Sequence, residues 1–439
     1  MTDSLQDAAL DHIARAEAGV ADIPELAGVQ ADTGINSIAV IGAGTMGGGI
    51  AMNFLNIGLP VVILETAREA LDRGLAAIRA NYQRSVSRGK LSQDQLEARL
   101  ALLRGTLDYA DLAGADLVVE AVFEDMAVKK AVFGRLAQLV RPGAILATNT
   151  SFLDIAEIAA VTREPSRVLG MHFFSPANVM PLLEVVRTPH TAAPVLRAVL
   201  DLGVRIGKIP VLVGNCHGFV GNRVVVRRKE QGQALILEGA MPWQVDRVLT
   251  EFGFPMGPFA MSDFAGLDIG WNPATSAGAT IVERLCEQGR RGRKTGAGYY
   301  DYDSAGAATP SPLVAELIRG FVTEHRLPTR EIGDGEILER CLYPMINEAC
   351  RVLEEGITLR AADVDVILVN GYSFPRRLGG LTWHADSLGL DRVLAVMRKL
   401  HHQLGDTMKP AALLERLVAE GGRLSDVGAT TANNDGETP

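Results

Sequence analysis

Little cysteine, no surplus of positive charge and no leader-like N-terminus set the first limits on this chain. Four cysteines (Cys216, Cys286, Cys341, Cys350) in 439 residues make neither a disulfide framework nor the spacing of a metal site, and they fit a reducing compartment. The formal net charge of -9 argues against nucleic acid or an anionic membrane as the main partner, although a local basic patch can still hold an acidic ligand. The N-terminus lacks the basic-then-apolar order of a signal peptide, and the final Gly-Glu-Thr-Pro is no targeting signal. A cytoplasmic location is therefore expected. From Ile35 to Leu64 there is no Asp, Glu, Lys or Arg, a stretch long enough to span a bilayer. Its six glycines, its proline and its asparagines argue instead for strand, glycine turn, helix and strand.

What is present is ordinary for a globular protein: 47% hydrophobic and 22% charged residues. The length predicts two to four domains. Residues 1–34 read as partly helical, with Leu5, Leu10 and Ile13 on one face and a break at Ile23-Pro24. Short apolar runs at Ile38–Ile41, Val61–Leu64, Leu117–Val119, Ala144–Leu146 and Val168–Met171 alternate with helical patterns such as Ala127–Val140. That alternation predicts a Rossmann-type, doubly wound parallel sheet. Ser92 to Leu103 reads as an amphipathic helical excursion capped by Ser92.

Beyond about residue 215 the strand signals give way to helices, and the chain echoes itself. Glu238-Gly239, Val245-Asp246, Phe254-Pro255, Gly257, Asp263 and Gly266-Leu-Asp268 recur as Glu355-Gly356, Val364-Asp365, Phe374-Pro375, Gly379, Asp386 and Gly389-Leu-Asp391. A duplicated helical domain is the simplest explanation. Ser304 to Pro312 reads as the linker between the copies.

Gly42-Ala-Gly44-Thr45-Met-Gly47 follows a predicted strand and opens a predicted helix. Its glycines let the backbone approach a pyrophosphate at the helix N-terminus. Glu65 ends the second strand, where an acidic residue hydrogen-bonds the adenosine ribose and repels an extra phosphate, so NAD is the expected cofactor. Asn149-Thr-Ser151 lies at the carboxyl end of a strand, where such folds bind ligands; capping by Thr150 or Ser151 is the commoner use of these residues. His172 ends another strand, and Glu184 follows twelve residues later. A His oriented by a carboxylate is an acid–base pair, but the spacing leaves open whether the two touch. Asn222 opens the helical region, where a cap is the alternative use. Arg88 and Lys90 are a basic pair suited to phosphates or, equally, to a solvated loop.

Taken together, Asn149-Thr-Ser151, His172-Phe-Phe, Leu183-Glu184, Gly218-Phe-Val-Gly-Asn222-Arg, Pro255-Met-Gly-Pro258 and Lys294-Thr-Gly-Ala-Gly-Tyr299 resemble the L-3-hydroxyacyl-CoA dehydrogenases of fatty-acid β-oxidation. The match runs from about residue 35 to 420. It looks most like the dehydrogenase half of bifunctional enzymes that carry an enoyl-CoA hydratase in front. Residues 12–26 look like the helix that links the two halves.

The resemblance implies a Rossmann-type α/β domain followed by two related all-α domains of the 6-phosphogluconate dehydrogenase C-terminal kind. The implied division is 1–34 linker-like helix, 35–215 NAD-binding domain, 216–305 first helical domain, 330–424 second copy and 425–439 disordered tail. It implies NAD-dependent oxidation of an L-3-hydroxyacyl-CoA, with His172 as base, Glu184 holding its ring, Ser151 bonding the 3-hydroxyl beside the nicotinamide, and Asn222 donating to the reacting oxygens. Gly42, Gly44, Thr45, Met46, Gly47, Glu65, Glu124, Lys129 and Ser151 would line the cofactor. Arg88, Lys90 and His384 would stand on the substrate side with Ser151 and Asn222. Phe152, Asn178, Arg227-Arg228 and His384 differ from the usual pattern and leave the acyl group open. A separate hydratase and a second copy of the chain are the candidate protein partners. Two other functions fit the same fold: a dehydrogenase of a small hydroxy acid without CoA, and a non-catalytic scaffold.

Overall fold

The computed structural model describes residues 3–31 and 34–428. A first helix, α1 (Asp3–Ala18), precedes an eight-stranded sheet. The sheet region runs β1 (Ile38–Ile41), α2 (Thr45–Asn56), β2 (Val61–Leu64), α3 (Arg68–Ser87), α4 (Gln93–Ala101), β3 (Leu103–Thr106), β4 (Leu117–Glu120), α5 (Met126–Leu139), β5 (Ile145–Thr148), α6 (Ile155–Ala159), β6 (Val168–Phe173), β7 (Leu182–Arg187), α7 (Ala193–Arg205) and β8 (Ile209–Gly214). The spatial order is β3-β2-β1-β4-β5-β6-β7-β8. The order reverses between β1 and β4, which opens a crevice at their carboxyl ends. The strands β1, β4, β5 and β6 are buried throughout, as expected of strands covered by helices on both faces.

The doubly wound sheet matches the expectation, with one reversal. β7 pairs antiparallel to β6, and β8 runs parallel to β7. Neither β7 nor β8 was among the predicted strands. Ser92 caps α4 through a full capping box with Gln95, but the excursion ends at Ala101 and Leu103 already belongs to β3.

The helical region contains α8 (Gly221–Glu238), α9 (Pro242–Phe252), α10 (Pro258–Ala265) and α11 (Ile281–Glu287), followed by the ribbon β9 (Tyr300–Tyr302) and β10 (Ala308–Pro310). Then come α12 (Pro312–Glu324), α13 (Asp334–Glu354), α14 (Ala361–Tyr372), α15 (Leu381–Leu388), α16 (Leu390–Leu404) and α17 (Ala412–Glu420). The stretch expected as a linker thus includes β10, paired antiparallel with β9. Leu424–Asp426 forms a 3-10 turn, and Ala361 N–H donates to Val427 O. Order therefore continues to 428, past the expected end at 424. The rest of the expected tail lies outside the described residues.

The echo in the sequence has a structural counterpart. Asp246 accepts the N–H groups of Phe259 and Ala260 at the start of α10. Asp365 accepts those of Thr382 and Trp383 at the start of α15. Asp263 accepts from Tyr299 and Tyr300 N–H, and Asp386 from Leu424 and Ser425 N–H. Each aspartate serves as a remote helix or loop cap, satisfying backbone donors that burial would otherwise orphan. One bond differs. Asp246 takes its further donor from Tyr300 Oη at 2.8 Å. Asp365 takes it from His12 Nε2 of α1 at 2.9 Å.

Helix α1 therefore lies on the second copy. Ala9 and Ile13 are buried there, His12 stacks on Trp383, and Glu17 meets Arg376 and Asn370. Leu5, expected on the buried face, is instead exposed. Among the described residues, no helix is long and apolar enough to cross a membrane.

Candidate active site

The glycine motif bends between β1 and α2. Gly42 has φ 97°, and a Cβ at Gly47 would stand 1.8 Å from Gly42 O; both positions exclude a side chain. A Cβ at Gly44 would meet nothing within 4 Å, so the backbone there is open to a ligand. Helix α2 has no side-chain cap, and its first N–H groups face outward from the end of the helix. Glu65 accepts Ala43 N–H at 2.8 Å and Thr66 N–H at 3.0 Å, which fixes its carboxylate beside the motif. A cavity of about 460 Å³ joins these residues, lined by Gly44, Thr45, Glu65, Arg73, Asn81 and Arg84 among others. Open backbone, free helix N–H groups and a carboxylate at the strand end together fit a dinucleotide.

At the carboxyl ends of β5 and β6 four side chains converge. The β6–β7 register sets His172 directly opposite Glu184. His172 Nδ1 lies 2.7 Å from Glu184 Oε2. The other carboxylate oxygen accepts Gly221 N–H at 3.0 Å and Val220 N–H at 3.3 Å, at the start of α8. A carboxylate only accepts, so Nδ1 carries the imidazole proton and Nε2 presents its lone pair. That lone pair faces Ser151 Oγ at 3.2 Å. Both His172 and Glu184 are buried, which strengthens the pair by excluding water. Asn222 Nδ2 lies 3.4 Å from Ser151 O. It makes no helix cap, since Val220 occupies the cap position. The loop carrying Ser151 caps nothing either: Asp154 caps α6.

Glu124 holds that loop. Its Oε1 accepts Thr150 Oγ1 at 2.6 Å, Ser151 N–H at 2.8 Å and Phe152 N–H at 3.0 Å. Asn149 Oδ1 accepts Phe173 N–H and ties the same loop to β6. Lys129, expected beside the cofactor, has its side chain turned inward. It is 1% exposed and bonds Glu120 Oε1 at 2.7 Å. Its Nζ also lies 3.6 Å from Oε2 of Glu124, the carboxylate that holds the loop, so Lys129 supports the loop from within. Met46 is half-buried on the first turn of α2.

Three residues expected on the substrate side lie apart from this cluster and from the cavity beside the glycine motif. Arg88 ends α3 and Lys90 follows the turn at Gly89; neither lines the cavity beside the glycine motif. The basic residues that do line it are Arg73 and Arg84, both exposed on α3. His384 is buried, with its ring 5.4 Å from Phe252 and 6.2 Å from Phe374. Burial pulls its pKa down to about 4, and nearby Arg377 adds to the effect. It belongs to an aromatic cluster between the two copies. Tyr372, at the end of α14, is the residue of the second copy that reaches Asn222; the sequence reading did not contain it. Arg228, one of the departures noted in the sequence, is also buried, with its guanidinium 4.3 Å over the Phe254 ring.

The chain is similar to known proteins over nearly its whole length. Residues 37–216 match the family model of the 3-hydroxyacyl-CoA dehydrogenase NAD-binding domain. The model of the C-terminal domain of the same family matches 218–302 and 335–431. The chain is 43% identical over 411 residues to the peroxisomal bifunctional enzyme of Danio rerio, covering 88% of this chain and 56% of that protein. With the human protein of the same name the identity is 39%, covering 57% of the relative. The chain thus spans little more than half the length of these relatives. A 3-hydroxybutyryl-CoA dehydrogenase from Escherichia coli K12 superposes with a TM-score of 0.75 at 29% identity, covering 88% of this chain and 99% of the other. The dehydrogenase part of a multifunctional enzyme from C. elegans superposes with a TM-score of 0.62 at 30% identity, covering 92% and 96%.

Proposed function

Because the chain belongs to the 3-hydroxyacyl-CoA dehydrogenase family, an NAD-dependent group, we propose that His172 is its general base and Glu184 the group that orients it. The reaction is the oxidation of an L-3-hydroxyacyl-CoA to the 3-oxoacyl-CoA. The observation that carries the assignment is the line from Glu184 Oε2 through His172 to Ser151 Oγ, 2.7 Å and then 3.2 Å.

In this mechanism the substrate 3-hydroxyl sits between Ser151 Oγ and His172 Nε2. His172 takes the hydroxyl proton at Nε2 as hydride leaves C3. Bound NAD supplies the hydride acceptor. The imidazole becomes cationic, and the Glu184 carboxylate at Nδ1 stabilises that charge without taking the proton. Asn222 Nδ2 donates to the developing carbonyl and thioester oxygens, and a donor already held in place needs no reorganisation as charge builds. Glu124 and Lys129 act one step away, by fixing the loop of Ser151.

Glu65, Gly44 and the N–H groups that open α2 hold the dinucleotide in this reading. Arg73 and Arg84 line the same cavity and stand with these groups on the cofactor side, while Arg88 and Lys90 remain the proposed residues for the phosphates of the acyl-CoA. The proposed domain division is the one given at the outset, with the second copy extended to 428.

NADH oxidation followed by absorbance, with acetoacetyl-CoA and with free acetoacetate, tests the reading. Turnover of the thioester alone supports it. Turnover of the free acid at equal efficiency supports the small hydroxy acid dehydrogenase instead, and loss of both with NADH bound supports a scaffold.

A separate hydratase and a second copy of the chain remain the proposed protein partners. The packing of α1 on the second copy favours a helix used within this chain. A pull-down with a co-expressed hydratase that recovers nothing counts against docking there. Composition favours the cytoplasm, whereas several relatives carry peroxisomal or glyoxysomal names; fractionation against marker enzymes decides between them.

A further inference from the structure

Tyr372 ends α14 in the second helical copy, yet it reaches the site assembled by the sheet and the first copy. Its hydroxyl lies 2.8 Å from Asn222 Oδ1. Its ring meets Phe174 edge-on at 5.4 Å, and Phe174 in turn lies 4.6 Å from the His172 ring. The fit depends on Gly221. A Cβ there would stand 2.4 Å from Tyr372 Cε2 and 2.7 Å from its hydroxyl.

An asparagine amide can present either end to a partner, so its orientation has to be imposed. Ser151 O can only accept, and therefore Nδ2 faces it, at 3.4 Å. A phenol hydroxyl can donate to the opposite end, Oδ1. The two contacts leave one Nδ2–H free toward the space beside Ser151 and His172. Burial pushes the Tyr372 phenol well above its ordinary pKa, so it keeps its proton to donate.

We propose that Tyr372 is a positioning residue for the oxidation: its hydroxyl holds the Asn222 amide with Nδ2 toward the reacting oxygens, so that the second helical copy completes the site of the first. The proposal rests on the dehydrogenase reading above. The duplication supports it in a specific way. Ser373-Phe374-Pro375 in the second copy matches Gly253-Phe254-Pro255 in the first, which places Tyr372 opposite Phe252. A phenylalanine fills the matching position without a hydroxyl, so general packing at that position does not require one. The hydroxyl appears only in the copy that touches Asn222.

The test is a double-mutant cycle on the full chain: wild type, Tyr372→Phe, Asn222→Ala and the double variant, reducing acetoacetyl-CoA with NADH. Tyr372→Phe keeps the ring and removes one hydroxyl. The proposal predicts a fall in kcat of about tenfold in the wild-type background, the effect of losing one neutral hydrogen bond at the transition state. NADH binding, read by fluorescence, stays within about twofold, as expected when an interaction specific to the transition state is lost. In the Asn222→Ala background the same change alters kcat by less than about twofold, because the group it positions is gone. Single turnovers with enzyme in excess read the cycle if Asn222→Ala is slow. An equal loss in both backgrounds, or no loss in the first, overturns the role of Tyr372 while leaving the reaction intact. A wild type that binds NADH but does not turn over overturns the reaction itself, and the proposal with it.

Discussion

His172 and Glu184 stand directly opposite one another across an antiparallel strand pair, with Nδ1 and Oε2 2.7 Å apart. Two residues twelve apart in sequence meet this way only because β7 turns back along β6, against the direction of the first six strands. The same carboxylate also receives the first N–H groups of α8. It ties the base on the sheet to the helix that carries Asn222.

Glu184→Gln should therefore cost far more than one hydrogen bond. The glutamine amide cannot accept from His172 Nδ1 and from Gly221 N–H without turning its own N–H₂ on one of these donors. Turned toward His172, it forces the other tautomer and protonates Nε2. A fall in kcat of about 10²-fold or more, with NADH affinity unchanged, is expected from stopped-flow and fluorescence measurements. A fall of less than about threefold would show that Glu184 does not set the state of the ring.

Glu65 carries the preference for NAD. Replacing it with Ser removes a carboxylate fixed beside the motif by Ala43 and Thr66 N–H. The ratio of kcat/KM for NADPH over NADH should rise at least about tenfold, the equivalent of roughly 1.4 kcal/mol. An unchanged ratio would remove Glu65 from the cofactor site.

How much of this was legible in the sequence follows from locality. The glycine motif acts through its own backbone, and β1, β2, β4, β5 and β6 are short apolar runs, so both could be read directly. The paired aspartates of the duplication could be aligned because each caps its own copy. The contact between His172 and Glu184 could not be read, because Glu184 sits inside an apolar run, Leu182–Val186, with no alternation to mark β7 as a strand. Arg73 and Arg84 were hidden by their place on a long charged helix. His384 was misplaced because its position in a motif does not reveal that Phe252 and Phe374 enclose it. Tyr372 meets Asn222 across 150 residues, and only the packing of the two copies brings them together.

Arg73→Ala and Arg84→Ala should each raise the KM for NADH, by about tenfold at low salt and less at high salt, as expected for phosphate contacts near solvent. Arg88→Ala and Lys90→Ala should leave it within about twofold. The reverse pattern in steady-state kinetics would remove Arg73 and Arg84 from the cofactor side.

His384→Phe separates packing from substrate contact. The buried imidazole titrates near pH 4 in the folded chain, against about 6.5 when unfolded. Between these values the unfolded chain binds the extra proton. Wild type therefore loses stability as pH falls from about 6.5 to about 4 through this group, and the variant does not. Urea unfolding at pH 7 and pH 4.5 should show the variant gaining about 1 to 3 kcal/mol relative to wild type on acidification. Its kcat at pH 7 should stay within twofold. A large loss of kcat would return His384 to the substrate side.

The most direct test of the account is single-turnover oxidation of NADH by acetoacetyl-CoA, comparing wild type with His172→Ala. The account predicts a rate at least about 10²- to 10³-fold lower in the variant, with NADH and acyl-CoA still bound. A variant that retains a rate within a few-fold of wild type would contradict it, because the proton would then reach the 3-oxo oxygen without His172.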